Sequence, residues 1–237
     1  MNPRSDKQAL SLIVYDADRI QHPQAQLFDV GFWKAQGRVV GEAVGRGSAW
    51  FLETPFGSAV LREYLRGGLP GRFIRDRYFF TGWSRSRPTA EFSLLVELHR
   101  LGLPAPRPLA ALTRRRGLFY GGSLLTERIP GARAVADLMA ERAADDAFWA
   151  RIGAEVRRFH DHGVVHADLN ARNILIDEAD TVFLIDFDRA RRATGASTRF
   201  AANLKRLRRS FDKLWPESVR GRLDGCWEKL QQGYVAA

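Results

Sequence analysis

Short apolar stretches punctuated by turn residues dominate the first half of the chain, and helical stripes dominate after Gly131. Residues 36–65, QGRVVGEAVGRGSAWFLETPFGSAVLREYL, predict three successive strands. The first two meet at the Gly-rich 45–48 turn and the second and third at the Thr-Pro-Phe-Gly turn, 54–57. After a segment rich in Gly, Arg and aromatics, TAEFSLLVELHRLGLPAPRP predicts a helix over 89–101, with Phe92, Leu95 and Leu98 on one face. Thr89 is its expected cap, and Gly102 and Pro104 its terminators. LAALTRRRGLFYGGSLLTERIPG alternates into two further strands.

Beyond Gly131, helices are expected over AVADLMAERA and over DDAFWARIGAEVRRFHDHG, where Phe148, Ile152, Val156 and Phe159 share a stripe. Two short strands follow at ILI and VFLI. The TRFAANLKRLRRSFDKLWP segment then predicts a helix with Ala201, Leu204, Leu207, Phe211 and Leu214 on its apolar face. The expected architecture is α+β. An antiparallel β-rich lobe with one helix spans residues 1–128, a hinge lies near 127–131, and a mainly helical lobe spans 129–237.

The stretch from 162 to 188, HGVVHADLNARNILIDEADTVFLIDFD, sets His166, Asp168, Asn173 and Asp186 beside strand-like apolar segments. Buried polar groups of this kind cost free energy unless they are paired or bound to a cation. A hairpin between ILI and VFLI brings its two ends together, so Asn173 and Asp186 are expected to converge beside Asp168. Two oxygen ligands facing one gap suit Mg²⁺, which keeps waters and takes phosphate oxygens. A further carboxylate, Asp168, is then able to accept a proton from an attacking hydroxyl. The plain alternative is that these residues only brace a hairpin through Asx turns.

HADLNARN resembles the protein-kinase catalytic loop H-x-D-L-x-x-x-N wherever that pattern is fixed, and DFD matches two residues of the D-F-G metal motif. The resemblance implies a protein-kinase-like fold in which Asp168 is the catalytic base, Asn173 and Asp186 hold Mg²⁺, and His166 is a structural residue of the loop. Backbone N–H groups of Gly45, Gly47 and Ser48 would cover ATP phosphates, although the turn VGRGSAWF lacks a third glycine. Kinases carry a Lys on the third strand, paired with a helix Glu; here Arg62 stands at that position, and Lys34 lies before the Gly-rich turn. Arg62 is read as the phosphate-side cation and Glu91 as its partner. In the alternative, Arg62 lies on the solvated face of an edge strand and Glu91 is a helix N-terminal charge.

GRGSAWF, VLREYLRGG, EFSLLVELHRLGLPAPRPLAA, LIDFDRAR and NLKRLRRSFDKLWP together are similar to the Kdo (3-deoxy-D-manno-octulosonic acid) kinase branch of the lipopolysaccharide core kinases. That resemblance runs from about YDADR to the helix over 198–216. It implies ATP-dependent phosphorylation of a Kdo hydroxyl, the 4-position, on a Kdo-bearing lipid A precursor at the cytoplasmic face of a Gram-negative inner membrane. Other small kinases, such as a heptose kinase or a Bud-type protein kinase, share the catalytic motifs. A pseudokinase is the reading favoured by Arg62 and by Asp188, where kinases have Gly.

Composition is compatible with an anionic substrate. There are 37 basic and 27 acidic residues, a net charge of +10, which draws polyanions. No helix-turn-helix, zinc or RNP-like motif points to nucleic acid. The 62–87 segment supplies seven arginines against Glu63 and Asp76, with Phe73, Tyr78, Phe79, Phe80 and Trp83 interleaved. This segment and the basic face of the 198–216 helix, with Lys205, Arg206, Arg208, Arg209 and Lys213, are the expected membrane contacts. The ordinary alternatives are a core stripe and a solvated face. One cysteine, Cys226, excludes an intramolecular disulfide and fits a reducing compartment. The N-terminus reads as neither a signal peptide nor a membrane span.

Overall fold

The computed structural model describes residues 1–43, 49–64, 78–195 and 197–237. The predicted phosphate-covering residues Gly45, Gly47 and Ser48, and the part of the basic segment over 65–77, lie outside the described residues. The chain divides into two compact units. One comprises Met1–Glu97 and Pro106–Arg128, the other Leu98–Ala105 and Ile129–Ala237.

The first unit is built on an antiparallel sheet of eight strands: β1 (Pro3–Gln8), β2 (Ser11–Asp16), β3 (Val39–Ala43), β4 (Ala49–Thr54), β5 (Gly57–Glu63), β6 (Tyr78–Phe79), β7 (Pro108–Arg116) and β8 (Phe119–Glu127). Their order is β1-β2-β7-β8-β5-β4-β3, with β6 also pairing β8. The three strands expected over 36–65 are present, as are the two after residue 108. The β1–β2 hairpin was not expected. It joins the sheet through β7, with Ile13 opposite Leu112. Asp16 pins its end: the buried carboxylate accepts from Arg107 Nε at 3.0 Å and from the Asn2 N–H at 2.8 Å. Burial pushes the Asp16 carboxyl up, but the Asn2 N–H and the Arg107 guanidinium outweigh it, and the net shift is below the usual carboxylate range.

Leu52, Leu61, Leu109, Leu112 and Leu125 form the core of this unit, closed at one side by Trp33 of α1 (Val30–Ala35). The alternation of β4 and β5 decides this, since residues two apart share a sheet face. Helix α2 (Arg87–Arg100) buries Phe92, Leu95 and Leu98 as expected, but it starts two residues before Thr89. Thr89 is not the cap. Its hydroxyl is buried in a cluster with Ser86 and with Thr113 of β7, at 3.0 and 3.1 Å. A hydroxyl bonded to a neighbouring strand is not available to a helix N-terminus.

In the second unit, α4 (Asp146–Asp161) turns its Phe148, Ile152, Val156 and Phe159 stripe inward. Asp145 caps it by accepting from the Phe148 N–H at 2.9 Å. The helix expected over AVADLMAERA is reduced to α3 (Val135–Leu138), which follows a short strand, β9 (Arg133–Ala134). Strands β11 (Ile174–Ile176) and β12 (Val182–Leu184) form the expected hairpin, with β9 on the outer side of β11. A second small pair joins β10 (Val164–Val165) to β13 (Arg191–Arg192).

Helix α5 (Ser197–Leu214) buries Asn203, Leu207 and Phe211, whereas Ala201 is exposed, so the inward face is rotated from the expected one. A last helix, α6 (Leu223–Ala236), was not read from the sequence. It crosses α4 so closely that a Cβ on Gly153 would meet the Leu230 carbonyl oxygen at 1.9 Å and one on Gly233 the Ala150 carbonyl oxygen at 2.0 Å. Only glycine permits that backbone approach. Trp149, Phe211 and Trp215 pack beside this crossing, with centroids 5.3–5.9 Å apart.

Candidate active site

Hairpin register answers why HADLNARN and DFD occur together. Ile174 pairs with Leu184, and the Ile185 N–H donates to the Asn173 carbonyl at 3.0 Å. The ladder therefore ends with Asn173 on one strand and Asp186 one residue past its partner on the other. Asp177 fixes the far turn by accepting from the N–H groups of Ala179 and Thr181. One end of the hairpin is thus specified by a backbone hydrogen bond and the other by the Asp177 carboxylate, and the two predicted metal ligands emerge at the same end.

The loop from 166 to 173 is closed by its own side chains. His166 is buried; its Nδ1 accepts from the Asp168 N–H at 3.1 Å, and its Nε2 donates to the Ile185 carbonyl at 2.9 Å. One ring therefore ties the loop to the hairpin, which requires the neutral imidazole. Burial pushes the His166 pKa down, consistent with that tautomer. Asn173 Nδ2 donates to the Asp168 carbonyl at 2.9 Å, which engages the amide nitrogen and leaves Oδ1 as the acceptor atom of that side chain. This donor set, an amide oxygen and the Asp186 carboxylate, fits Mg²⁺. No cluster of three His, Cys, Asp or Glu suited to a metal occurs among the described residues, so a soft-metal site is not indicated there.

Asp186 has φ 62°, a left-handed conformation that Asp tolerates better than most residues. Position 188 does not share it: the next positive φ falls at Arg189. Asp188 thus occupies a position where this backbone makes no demand for glycine, and the departure from D-F-G is structurally neutral. Phe187 between them is buried, its ring 5.0 Å from His166 and 5.9 Å from Phe159.

Asp168 itself is exposed. Its carboxylate accepts from Arg206 Nη1 at 3.3 Å and from Asn170 Nδ2 at 3.2 Å. Helix α5 does more. Asn203 Oδ1 accepts from the His166 N–H at 3.1 Å while its Nδ2 donates to the His166 carbonyl at 2.7 Å, and Ser210 Oγ accepts from the Ala171 N–H at 3.0 Å. His160 donates from Nε2 to the same Asn203 Oδ1 at 3.3 Å and accepts from the Tyr234 hydroxyl at 2.7 Å. Burial pushes His160 down to about 4, so it is neutral in this network. Motif matching did not reach Asn203, Ser210 or Tyr234. The available signal was the pair of polar residues seven apart, Asn203 and Ser210, next to Leu207 and Phe211 on one helical face.

In the first unit, Arg62 bonds directly to Glu91. The edge-strand alternative is overturned, because β5 lies between β4 and β8. Glu91 is also no exposed helix-end charge: it is 4% exposed, one turn inside α2. The Tyr64 hydroxyl donates to the same Glu91 oxygen, and the Arg62 guanidinium lies 5.0 Å from the Tyr64 ring. Tyr64 is a further residue the motifs missed, although Arg62-x-Tyr64 spacing places both on one strand face. Lys34, the other cation considered, lies over the Trp50 ring at 4.2 Å.

Known proteins resemble this chain over most of its length. The family model described as "Lipopolysaccharide kinase (Kdo/WaaP) family" matches residues 30–234. A 3-deoxy-D-manno-octulosonic acid kinase from Stenotrophomonas maltophilia is 42% identical over 239 residues, covering 100% of this chain and 94% of its own length. Proteins of the same name from Xanthomonas euvesicatoria and Vibrio vulnificus are each 43% identical, over 99% and 86% of this chain and 94% and 86% of their own. The mixed fold, an antiparallel sheet followed by helices, is the kinase-like arrangement expected of such a chain. With a family model over most of its length and relatives above 40% identity end to end, this protein belongs to the lipopolysaccharide kinase (Kdo/WaaP) family.

Proposed function

We propose that this protein transfers the γ-phosphoryl group of ATP to a hydroxyl of Kdo, the 4-position, on a Kdo-bearing lipid A precursor. The observation that carries the reading is the hairpin register, which delivers Asn173 and Asp186 to one end while the His166 ring ties the loop bearing Asp168 to that end. The name borne by relatives that match the whole chain supplies the acceptor class.

Asp168 takes the proton of the attacking hydroxyl as the new P–O bond forms, and Arg206 and Asn170 orient its carboxylate for that task. Arg62, steadied by Glu91 and Tyr64, supplies fixed positive charge to the ATP phosphates. Arginine loses nothing as a cation here, because it stays charged and Glu91 fixes its orientation. Asn173 and Asp186 would hold Mg²⁺, which when bound offsets the phosphate charge. Gly45, Gly47 and Ser48 complete the phosphate site in this reading. Positioning and charge stabilisation, more than covalent chemistry, then set the rate.

The acceptor is a membrane lipid, so the protein is assigned peripherally to the cytoplasmic face of the inner membrane. No helix among the described residues is long and apolar enough to cross a membrane. Contact is proposed through the basic segment over 62–87 and the outward basic face of α5, on which Lys205, Arg209 and Lys213 are exposed. Nucleic acid is not a proposed partner.

Incubation with labelled ATP, Mg²⁺ and Kdo-bearing lipid A precursor should label the lipid, and precursor lacking Kdo should stay unlabelled. Label on both lipids, or on neither with ATP binding intact, overturns the acceptor assignment and leads to heptose and protein substrates.

A further inference from the structure

Among the described residues, the most exposed large apolar side chains outside the chain termini are Leu10, Phe79 and Leu118, at 62%, 64% and 63%. Single exposed leucines are ordinary. These three come from separate parts of the sequence, yet the sheet gathers them at one end. The Arg115 N–H donates to the Leu10 carbonyl at 2.8 Å, which sets the β1–β2 turn beside the end of β7. The Phe80 N–H donates to the Leu118 carbonyl at 2.9 Å, and Phe79 pairs with Phe119 across β6 and β8. Leu10, Leu118 and Phe79 are thus three neighbouring tips of one sheet edge.

The segments that carry these tips are basic. Residues 7–10, 78–87 and 114–119 carry Lys7, Arg85, Arg87, Arg114, Arg115 and Arg116 and no acidic residue. Lys7, Arg85 and the three consecutive arginines are exposed. Their cations lie on the aromatic rings of the same edge: Arg115 is 4.8 Å from the Phe80 centroid and Lys7 6.0 Å from that of Trp83. Phe80 and Trp83 themselves contact edge to face at 4.9 Å.

We infer that this end of the first unit's sheet docks on an anionic lipid surface, with Leu10, Phe79 and Leu118 entering the headgroup layer and the surrounding cations on lipid phosphates. A second copy of the chain fits less well. A two-fold contact would set the same basic surface against itself, and like charges repel. Apolar tips beside aromatic rings and exposed cations match the depth profile of a bilayer interface instead. The inference rests on the proposed lipid substrate and adds the β1–β2 and β7–β8 turns to the contact.

Co-sedimentation of the full chain with phosphatidylcholine vesicles, with and without phosphatidylglycerol, tests it. Wild type should bind the anionic vesicles and lose most binding at high salt. The Leu10→Ser/Phe79→Ser/Leu118→Ser variant and the Arg114→Glu/Arg116→Glu variant should each bind them at least about tenfold more weakly. Val235→Ser, an exposed apolar residue on α6, should change nothing. All variants should phosphorylate a deacylated, water-soluble Kdo acceptor at the wild-type rate, which shows that they are folded. Equal vesicle binding by wild type and both edge variants overturns the inference, as does an edge-dependent dimer in sedimentation velocity with no vesicle binding. If the soluble acceptor is not phosphorylated by wild type while the vesicle results hold, the proposed reaction fails and the lipid edge stands.

Discussion

Arg62 in the first unit and the His166–Asn173 loop in the second are each held by motif residues together with side chains the motifs missed, but by opposite means. Arg62 is fixed by a charge, the buried Glu91, and by the Tyr64 hydroxyl, while its own guanidinium stays partly in solvent. The 166–171 loop is fixed by neutral groups: the Asn203 amide on both backbone atoms of His166, the Ser210 hydroxyl on Ala171, and two uncharged histidines. The contrast follows from what each must do. On the proposed reading Arg62 meets phosphates and has to stay charged, and arginine beside one carboxylate does so. A buried loop only has to be immobile, and neutral hydrogen bonds achieve that without the cost of desolvating an ion.

The comparison assigns chemistry to the second unit and nucleotide affinity to the first, and each assignment is open to test. Asp168→Ala should lower kcat by roughly 10²–10⁴-fold while leaving ATP binding, read by titration calorimetry, within about twofold of wild type. Normal turnover in that variant would sink the assigned base. Asn203→Ala strips two bonds from the His166 backbone and should cost about 2–4 kcal/mol in denaturant unfolding. Its kcat should fall more than its ATP KM rises; the reverse outcome would erase the division between units.

Acid should act on the second unit first. His160 is held neutral, at about 4 against an ordinary 6.5, and His166 is shifted in the same direction. Below pH 6.5 the unfolded chain takes up protons that the folded chain refuses. The stabilisation from His160 is therefore complete above that pH and is lost as pH falls toward 4, and His166 acts in the same direction. His160 alone accounts for on the order of 3 kcal/mol over that window. Melting measured in wild type and His160→Gln should converge at low pH; parallel curves would show that His160 is not the titrating group.

The first unit should give the smaller effects. Arg62→Lys keeps the charge but loses the fork that meets Glu91 and Tyr64, and should raise ATP KM by roughly tenfold. Tyr64→Phe removes one hydroxyl and should raise it by a few fold, worth about 1 kcal/mol. If Tyr64→Phe changed kcat alone, Tyr64 would belong with the chemistry instead.

Local pattern determined a good deal. Strand alternation over 36–65 and 108–127, the stripe of α4 and the hairpin at ILI and VFLI were all readable, because each depends on residues close in sequence. So were the convergence of Asn173 and Asp186, which a single hairpin brings to one end, and the Arg62–Glu91 pair, which the structure forms. The hairpin of β1 and β2 escaped notice because its ladder partner, β7, lies about a hundred residues away. Helix α6 was obscured by Gly225 and Gly233, residues that a helix of its own would avoid. Gly233 is there because α4 approaches to backbone contact.

Only the tertiary structure decided which face of α5 turns inward, since that depends on His166 presenting backbone groups for Asn203 to satisfy. It likewise decided that position 188 needs no glycine, that Thr89 serves a buried hydroxyl cluster instead of a cap, and that two turns and the short strand β6, distant in sequence, lie together at one end of the sheet. Sequence spacing fixes which residues can meet within one element. Which groups on different elements satisfy one another is settled only when burial leaves each polar atom needing a partner and the fold supplies one.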